Sequence, residues 1–286
     1  MPTTFNWIYL GIPQNALGAT IIIDPSETTP GAEAASLLLT APSGTGQRVF
    51  GSTGSPLYNN ITSATMINRS GSATELDTST QVGSSVDQFS TNVGTGPQTY
   101  SFDAVAGYLA TVTYADGTTQ TGVTLPLVQA TTGELFLAPP SSTGSNPALT
   151  TKPIVSIQLS SVVPTNYNLA IDRQQGVFDD GFVDGTAGND SIVGGYVEPN
   201  TGGSDQIDGG DGLTSAATGF NDDRIRAGAG NDTINGGLGA DTIDAGDGND
   251  SVNLTGTFGN DTITGGAGTD TLSGACLLYT SDAADE

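Results

Sequence analysis

The chain has 286 residues, with 30 acidic side chains against 6 basic ones, no histidine and a single cysteine, and its formal net charge at pH 7 is −24. The lack of histidine excludes Ser-His-Asp and Cys-His triads and histidine-based zinc sites. The negative charge repels phosphate backbones and anionic membranes, which argues against nucleic acid as a partner and favours a protein that takes up cations.

The N-terminal residues resemble neither a secretory signal nor a membrane helix. The start, MPTTFNWIYLGIPQ, lacks the basic segment and the long apolar segment of a Sec-type signal peptide. No apolar run in the chain approaches the ~20 residues of a membrane-crossing helix. We therefore expect no membrane span.

Residues 1–96 predict short strands separated by loops. The segments FNWIYL (residues 5–10) and ATIII (19–23) are aromatic or β-branched and lie between glycine and proline, which is typical of strands. GAEAASLLL (31–39) predicts one or two helical turns after a proline. Residues 41–96 are rich in Gly, Ser, Thr and Asn with brief apolar islands, and their strand pairing does not follow from the sequence.

Two hairpins are predicted between residues 108 and 138. YLATVTYADGTTQTGVTL (108–125) alternates apolar and polar residues, and Asp116 with Gly117 forms a typical two-residue hairpin turn. Residues 127–130 and 135–138 flank a second turn at Thr132 and Gly133, and residues 154–163 alternate again. Closely spaced strands of this kind predict an antiparallel, sandwich-like β-domain over residues 1–180.

This N-terminal domain is expected to fold around one core of ordinary size. The lone tryptophan, Trp7, and the tyrosines have the chemistry of a sugar-binding platform, but core positions explain them better. No paired carboxylates with a surrounding motif favour a glycosidase. The predicted core residues are Trp7, Tyr108, Val112, Tyr114, Phe136, Ile154 and Ile157.

Residues 227–253 consist of three nonapeptides, AGAGNDTIN, GGLGADTID and AGDGNDSVN. They share the template small-Gly-x-Gly-x-Asp-x-apolar-x, in which glycines allow tight turns and each short strand carries one inward apolar side chain. Partial copies precede and follow, at residues 185–192, 203–207, 221–225, 258–263 and 265–273. The copies place eight aspartates at the template position: Asp190, Asp205, Asp223, Asp232, Asp241, Asp250, Asp261 and Asp270.

The template supplies oxygen ligands for a hard cation. Aspartate carboxylates and the backbone carbonyls of the turn glycines are ligands that Ca²⁺ prefers, whereas Mg²⁺ requires a stricter geometry. Acids outside the template (Asp208, Asp211, Asp244 and Asp247) are better explained as solvated surface charges. The glycines predicted to contribute carbonyl oxygens are Gly228, Gly230, Gly237, Gly239, Gly246, Gly248, Gly266 and Gly268.

These nonapeptides resemble the RTX family of secreted calcium-binding proteins. The resemblance implies a parallel calcium β-roll over residues 181–275, in which one turn takes two repeats, so that residues about eighteen apart stack. It predicts the stacked pairs Asp205–Asp223, Asp223–Asp241 and Asp232–Asp250, and the stretched pairs Asp241–Asp261 and Asp250–Asp270. It further implies export by the type I secretion machinery, an extracellular location and Ca²⁺ as the bound ion.

The N-terminal domain also resembles the β-domain of RTX-type secreted proteins from alphaproteobacteria. The resemblance is carried by FNWIYLG (5–11), PLYNNIT (56–62), VTYADGTT (112–119) and ELFLAP (134–139). In that group a Hedgehog/intein-like autoprocessing (Hint) domain often follows the repeats. Nothing in residues 1–275 matches a Hint active site.

The last eleven residues, CLLYTSDAADE (276–286), break the repeat in mid-unit. Their amino-acid sequence resembles the translation of a sequencing adapter, so they are expected to be a non-native tail and are left out of the fold prediction. The only cysteine, Cys276, lies in this tail.

Two functions from different classes remain open from the sequence. The favoured one is calcium binding by an extracellular repeat protein that folds with Ca²⁺ and is not an enzyme. Its N-terminal domain then has a structural role or binds a carbohydrate or another surface ligand. The alternative is a fragment of a secreted enzyme or a self-processing protein whose catalytic domain is lost or lies within residues 1–180.

Overall fold

The computed structural model describes residues 4–24, 34–69, 75–76, 86–93, 96–139, 146–163, 169–170, 178–196, 198, 207, 222–254 and 259–274. The chain divides into two compact units. Unit 1 comprises Met1–Gly181 and Asn200–Gly203, and unit 2 comprises Phe182–Pro199 and Ser204–Glu286. The tail at residues 276–286 lies outside the described residues.

Unit 1 is built from antiparallel strands. Its short 3₁₀ helices are Ala35–Leu39, Leu57–Asn60 and Pro147–Leu149. Its strands are β1 (Thr4–Gly11), β2 (Val49–Gly51), β3 (Ile61–Ile67), β4 (Glu75–Leu76), β5 (Gln88–Thr91), β6 (Gln98–Tyr114), β7 (Thr119–Ala130), β8 (Leu135–Leu137), β9 (Ile154–Val163) and β10 (Leu169–Ala170).

Eight of these strands form one sheet in the order β2-β9-β6-β5-β3-β1-β8-β7, and β4 pairs with β10. Strand β6 pairs additionally with β7, so the six strands from β6 to β7 close into a ring. This is possible because β6 has 17 residues. Its start pairs with β5, and its remaining length pairs with β7 and β9. The predicted antiparallel, all-β fold is confirmed.

The hairpins predicted from the sequence are present. Strands β6 and β7 form the predicted hairpin, but its turn is longer than the predicted two residues. Tyr114 N–H donates to Thr118 O and Gly117 N–H donates to Tyr114 O, both at 3.0 Å, and Gly117 has a φ of +78°. Strands β7 and β8 meet at Gly133, whose φ is +99°. Residues 154–163 form β9 as predicted.

The strand predicted at residues 19–23 is wrong. Apart from one isolated bridge at Thr20, this segment makes no strand pairs in the described chain. A side chain pairs two of its backbone groups instead, because Gln129 donates to Ile21 O and accepts from Ile23 N–H, both at 2.8 Å. Loop backbone pairs two others, since Ile21 N–H donates to Pro13 O and Ala34 N–H donates to Ile23 O. An aliphatic run can therefore be buried beside a sheet without joining it.

The prediction of a single core for unit 1 is also wrong, because both faces of the sheet are covered. Trp7 belongs to an aromatic cluster with Phe89, Phe102 and Phe136, and its ring lies 5.2 Å from that of Phe89. The next residue, Ile8, belongs to a second cluster. Successive side chains on a strand point to opposite faces, so one strand serves both cores. The second cluster also holds the other predicted core residues: Tyr108, Val112, Tyr114, Ile154 and Ile157.

Unit 2 is built from parallel strands, one for each repeat. They form two four-stranded sheets, ordered β11-β13-β15-β17 and β12-β14-β16-β18, so that successive strands of unit 2 alternate between the two sheets. The strands are β11 (Val183–Asp184), β12 (Ser191–Ile192), β13 (Arg224–Arg226), β14 (Thr233–Ile234), β15 (Thr242–Asp244), β16 (Ser251–Leu254), β17 (Thr262–Thr264) and β18 (Thr271–Gly274). This is the predicted parallel β-roll.

Each strand of the roll contributes an inward apolar residue to a thin core, and β16 contributes two, Val252 and Leu254. Ile225 and Ile243 stack in one sheet, and Ile234 and Val252 stack in the other. These four side chains are at most 2% exposed, whereas Ile263 and Leu272 in the last turn are half-buried. Burial of the core therefore decreases towards the last described strands, β17 and β18, whereas Val183 and Ile192 in the first two strands are fully buried.

Candidate metal centre

The template aspartates lie in two rows, because each one ends a turn and is followed by a strand of one sheet or the other. Asp232 leads into β14 and Asp241 into β15, so neighbouring repeats contribute to different rows. The first row is Asp190, Asp232, Asp250 and Asp270, and the second is Asp223, Asp241 and Asp261.

Within each row the carboxylates form a hydrogen-bonded ladder. Oδ1 of each aspartate accepts the backbone N–H of the aspartate one turn earlier, at 2.8 Å for Asp250 and Asp232 and at 2.9 Å for Asp241 and Asp223. Asp261 and Asp270 repeat the contact at 3.0 Å. Four predicted stacked pairs therefore agree with the structure: Asp223–Asp241, Asp232–Asp250, Asp241–Asp261 and Asp250–Asp270.

The start of the ladder departs from the regular eighteen-residue spacing, and the predicted pair Asp205–Asp223 is not tested because Asp205 lies outside the described residues. Asp190 donates its N–H to Asp232 Oδ1 at 2.8 Å, across 42 residues rather than eighteen. The chain between the two repeats is thus an insertion relative to the regular roll. The predicted ligand Asp205 lies in this insertion and outside the described residues, as do Asp208 and Asp211.

Burial of the carboxylates is deepest in the middle of the roll. Asp223, Asp232, Asp241 and Asp250 are only 1–2% exposed, whereas Asp190 and Asp261 are half-buried and Asp270, in the last described turn, is exposed. Burial is the main cause that raises the pKa of Asp232. The hydrogen bond from Asp190 N–H opposes this effect, while the charges of Asp250 and Asp190 add to it.

Three of the carboxylates carry a buried oxygen that lacks a hydrogen-bond donor. These atoms are Oδ2 of Asp232, Asp250 and Asp261. Oδ1 of the same residues is already used by the ladder, so each side chain has one satisfied oxygen and one orphaned oxygen. A buried carboxylate oxygen without a partner is unfavourable, and a bound cation would compensate it. The donor set therefore fits a metal ion.

The predicted glycines all occupy the left-handed region of the backbone. Their φ values run from +87° at Gly266 to +149° at Gly248. A Cβ on Gly246 would clash with Gly228 O, and a Cβ on Gly248 would clash with Gly230 O, so successive turns stack through bare backbone. The other predicted positions with positive φ are Gly228, Gly230, Gly237, Gly239 and Gly268.

Several glycine carbonyls already accept a hydrogen bond from the next turn. Gly228 O accepts from Asp247 N–H at 2.8 Å, Gly239 O from Gly259 N–H at 2.6 Å, and Gly246 O from Ala267 N–H at 2.9 Å. A carbonyl oxygen has two lone pairs, so these atoms keep one site for a cation. Among the described residues no three acidic, histidine or cysteine side chains come together as a ligand group. An ion held here would need carbonyl oxygens besides the carboxylates.

The structure contains a second ladder, built from asparagines, which was not predicted from the sequence. Asn189 Oδ1 accepts from Asn231 N–H, Asn231 Oδ1 from Asn249 N–H, and Asn249 Oδ1 from Thr269 N–H, each at 2.8 Å. The direction is opposite to that of the aspartate ladder, because here the earlier turn accepts. The signal was present in the recurring Gly-Asn-Asp triplets that end at Asp190, Asp232 and Asp250.

The first turn of the roll carries an ion pair. Arg226 donates from Nε and a terminal nitrogen to the two carboxylate oxygens of Asp184, both at 2.7 Å. The guanidinium carbons of Arg224 and Arg226 lie 3.7 and 3.9 Å from the ring centroid of Phe182. Asp244 occupies the next register position beside Arg226, and its side chain is exposed.

Within the described chain, no helix has the length and apolar character needed to cross a bilayer.

Glycine turns, parallel two-sheet strands and stacked carboxylates define unit 2 as a parallel β-roll of nonapeptide repeats. The RTX calcium-binding nonapeptide repeat family matches it in four copies, at residues 176–196, 218–252 and 253–275. The matched residues are therefore RTX-type nonapeptide repeats, and such repeats imply calcium binding. No curated protein and no solved structure matches the chain.

The family match does not extend to the N-terminal part of the chain. It begins at residue 176, so the resemblance of residues 1–180 to alphaproteobacterial RTX and Hint-type proteins stays a prediction.

Proposed function

We propose that the roll binds Ca²⁺ between stacked turns and folds when it does so. The observation that carries this proposal is the set of orphaned, buried Oδ2 atoms on Asp232, Asp250 and Asp261. The residues that would hold the ions are the template aspartates and the turn glycines that face the next turn. A bound Ca²⁺ would supply positive charge to oxygens that the protein leaves without a donor.

Calcium suits this site better than magnesium for a physical reason. The ligands would be aspartate carboxylates and peptide carbonyls, and the glycine-rich backbone that carries them adjusts to an ion of variable coordination. Mg²⁺ demands near-ideal octahedral geometry and keeps its waters, whereas Ca²⁺ accepts six to eight oxygens. We expect dissociation constants of about 10⁻⁴–10⁻³ M, as in extracellular modules.

The proposal includes an extracellular location and export by the type I secretion machinery. The support is the match of these repeats to the RTX calcium-binding repeat model together with the resemblance noted from the sequence. Because metal binding and folding are coupled in such sites, the roll would stay unfolded where calcium is scarce and fold where it is plentiful. Unit 1 is assigned a binding or structural role and no catalytic one, in keeping with the lack of histidine in the chain.

Calorimetric titration of the full chain with CaCl₂ tests the calcium site. Asp250→Asn keeps the shape of the side chain and the Oδ1 acceptor but removes the charge, so it should remove a site or weaken binding by about tenfold. Asp247→Asn is the matched control, since Asp247 lies in the same turn with an exposed side chain. Equal losses in both variants would show that bulk acidity, not the ladder, binds calcium. Asp244 is a poorer control because it neighbours Arg226.

A further inference from the structure

Unit 1 contains an open cleft of about 340 Å³ at the start of β6 and the turn between β7 and β8. Its two walls are tied together, because Thr131 N–H donates to Ser101 O at 3.1 Å. Gln88 of the neighbouring strand β5 donates from Nε2 to Ser101 Oγ at 3.0 Å. The cleft is lined by Gln98, Thr99, Tyr100, Ser101, Thr131, Thr132 and Glu134.

Tyr100 gives the cleft one aromatic wall. Its ring stacks on Phe89 with a centroid distance of 5.4 Å and an interplanar angle of 23°, and it meets Phe136 at 6.2 Å. Both phenylalanines are fully buried in the aromatic cluster. The half-buried Tyr100 ring is therefore held by the core and needs little reordering to receive a ligand.

Glu134 gives the cleft one negative charge close to two phenols. Thr132 Oγ1 donates to Glu134 Oε2, which fixes the carboxylate. Burial raises the pKa of Tyr9 and of Tyr100, and the charge of Glu134 raises both further. Tyr9 packs against Phe136 with a centroid distance of 5.3 Å, on the same aromatic cluster. The carboxylate and the phenol groups thus share one region of the surface.

We propose that this cleft binds a neutral carbohydrate. Hydroxyls and an amide line it as donors and acceptors, one carboxylate accepts from vicinal hydroxyls, and the Tyr100 ring covers an apolar sugar face. None of the lining residues is basic, and Glu134 repels anionic ligands. A carbohydrate ligand extends the binding role proposed above for unit 1 by naming a class of ligand. Saccharide binding by this cleft does not depend on calcium binding by the roll.

The test uses the full chain with calcium present and saturation-transfer NMR. The probes are neutral hexasaccharides of glucose, mannose, galactose, xylose and N-acetylglucosamine, with a galacturonate hexamer as the anionic probe and tetramethylammonium as the cationic probe. At least one neutral hexasaccharide should bind. Tyr100→Ala should weaken its binding by about fivefold to tenfold, the worth of one aromatic contact. Glu134→Gln should weaken it as well and leaves the fold of the turn intact.

The control variant is Tyr58→Ala, which removes a half-buried tyrosine of unit 1 that does not line the cleft. It should leave saccharide binding unchanged. Binding of tetramethylammonium or galacturonate without any neutral saccharide would overturn the inference, and so would an equal loss in Tyr58→Ala and Glu134→Gln. Calcium titration of the same samples separates the two proposals, because a failed saccharide test leaves the calcium response of the roll intact.

Discussion

Withdrawal of calcium from the full chain should unfold the roll and leave unit 1 folded. The reason lies in the balance of terms in unit 2. Residues 184–275 contain 23 glycines and 15 acidic residues, so ordering the backbone is entropically costly and the acids repel one another. Against these costs stand a thin apolar core and the two side-chain ladders.

The size of the effect follows from the orphaned oxygens. Oδ2 of Asp232, Asp250 and Asp261 is buried without a donor, and each such atom costs about 1–3 kcal/mol. Three of them cost roughly 3–9 kcal/mol, comparable with the 5–15 kcal/mol that stabilises a whole domain. Calcium at 100 times its dissociation constant returns about 2.7 kcal/mol for each site. The roll should therefore be folded only in the calcium-loaded state.

Hydrogen exchange followed by mass spectrometry measures both units in one sample. With calcium, the amides of β13–β16 should be protected, and EGTA should reduce their protection by about a hundredfold or more. The long strands β6 and β7 serve as the internal control, because their strand pairing in unit 1 involves none of the template aspartates. Equal protection of β13–β16 in EGTA would refute the reasoning. Simultaneous loss in β6 and β7 would show that the units do not fold independently.

Two further predictions concern unit 1. Gln129→Leu should lower the free energy of unfolding by about 2–4 kcal/mol, because it leaves Ile21 O, Ile23 N–H and Gly133 O without their hydrogen-bond partner. Thermal melting measures the change, and Gln158→Leu, at an exposed position, is the control. Burial alone would raise the pKa of Asp116, but hydrogen bonds from Lys152 and Thr118 outweigh it and lower the pKa. The Asp116–Lys152 ion pair therefore contributes its full stabilisation, about 0.5–1 kcal/mol, above the ordinary pKa of aspartate. This contribution is lost as the pH falls through the lowered pKa of Asp116. Thermal melting at a series of pH values should show this dependence in the unsubstituted chain and not in Asp116→Asn.

Local patterns predicted the elements whose stabilising contacts are near in sequence. The hairpin at Asp116 and Gly117 needs positive φ and alternating side chains, both visible in eighteen residues. The roll is equally local, since every turn repeats one template and meets only its neighbours. The eight glycines with positive φ could be assigned for the same reason.

The failures involve partners far apart in the chain. Residues 19–23 have the composition of a strand, but two of their backbone groups pair with the side chain of Gln129, more than one hundred residues away. Closure of the ring likewise depends on the pairing of β1 with β8, where Ile8 lies beside Leu137, and no local pattern encodes this pairing. The stacking of Asp190 on Asp232 was missed because an insertion separates them.

The alternation of strands between two sheets sets the unit by which this roll can change length. Removing one nonapeptide would move every later strand to the opposite sheet and transfer Asp250 to the row of Asp241. Removing eighteen residues would keep each side chain in its row and rejoin both ladders, because Asp232 and Asp250 already occupy equivalent positions. Insertions follow the same rule, so the roll lengthens or shortens by whole turns of two repeats. Each added turn brings one aspartate to each of the two rows.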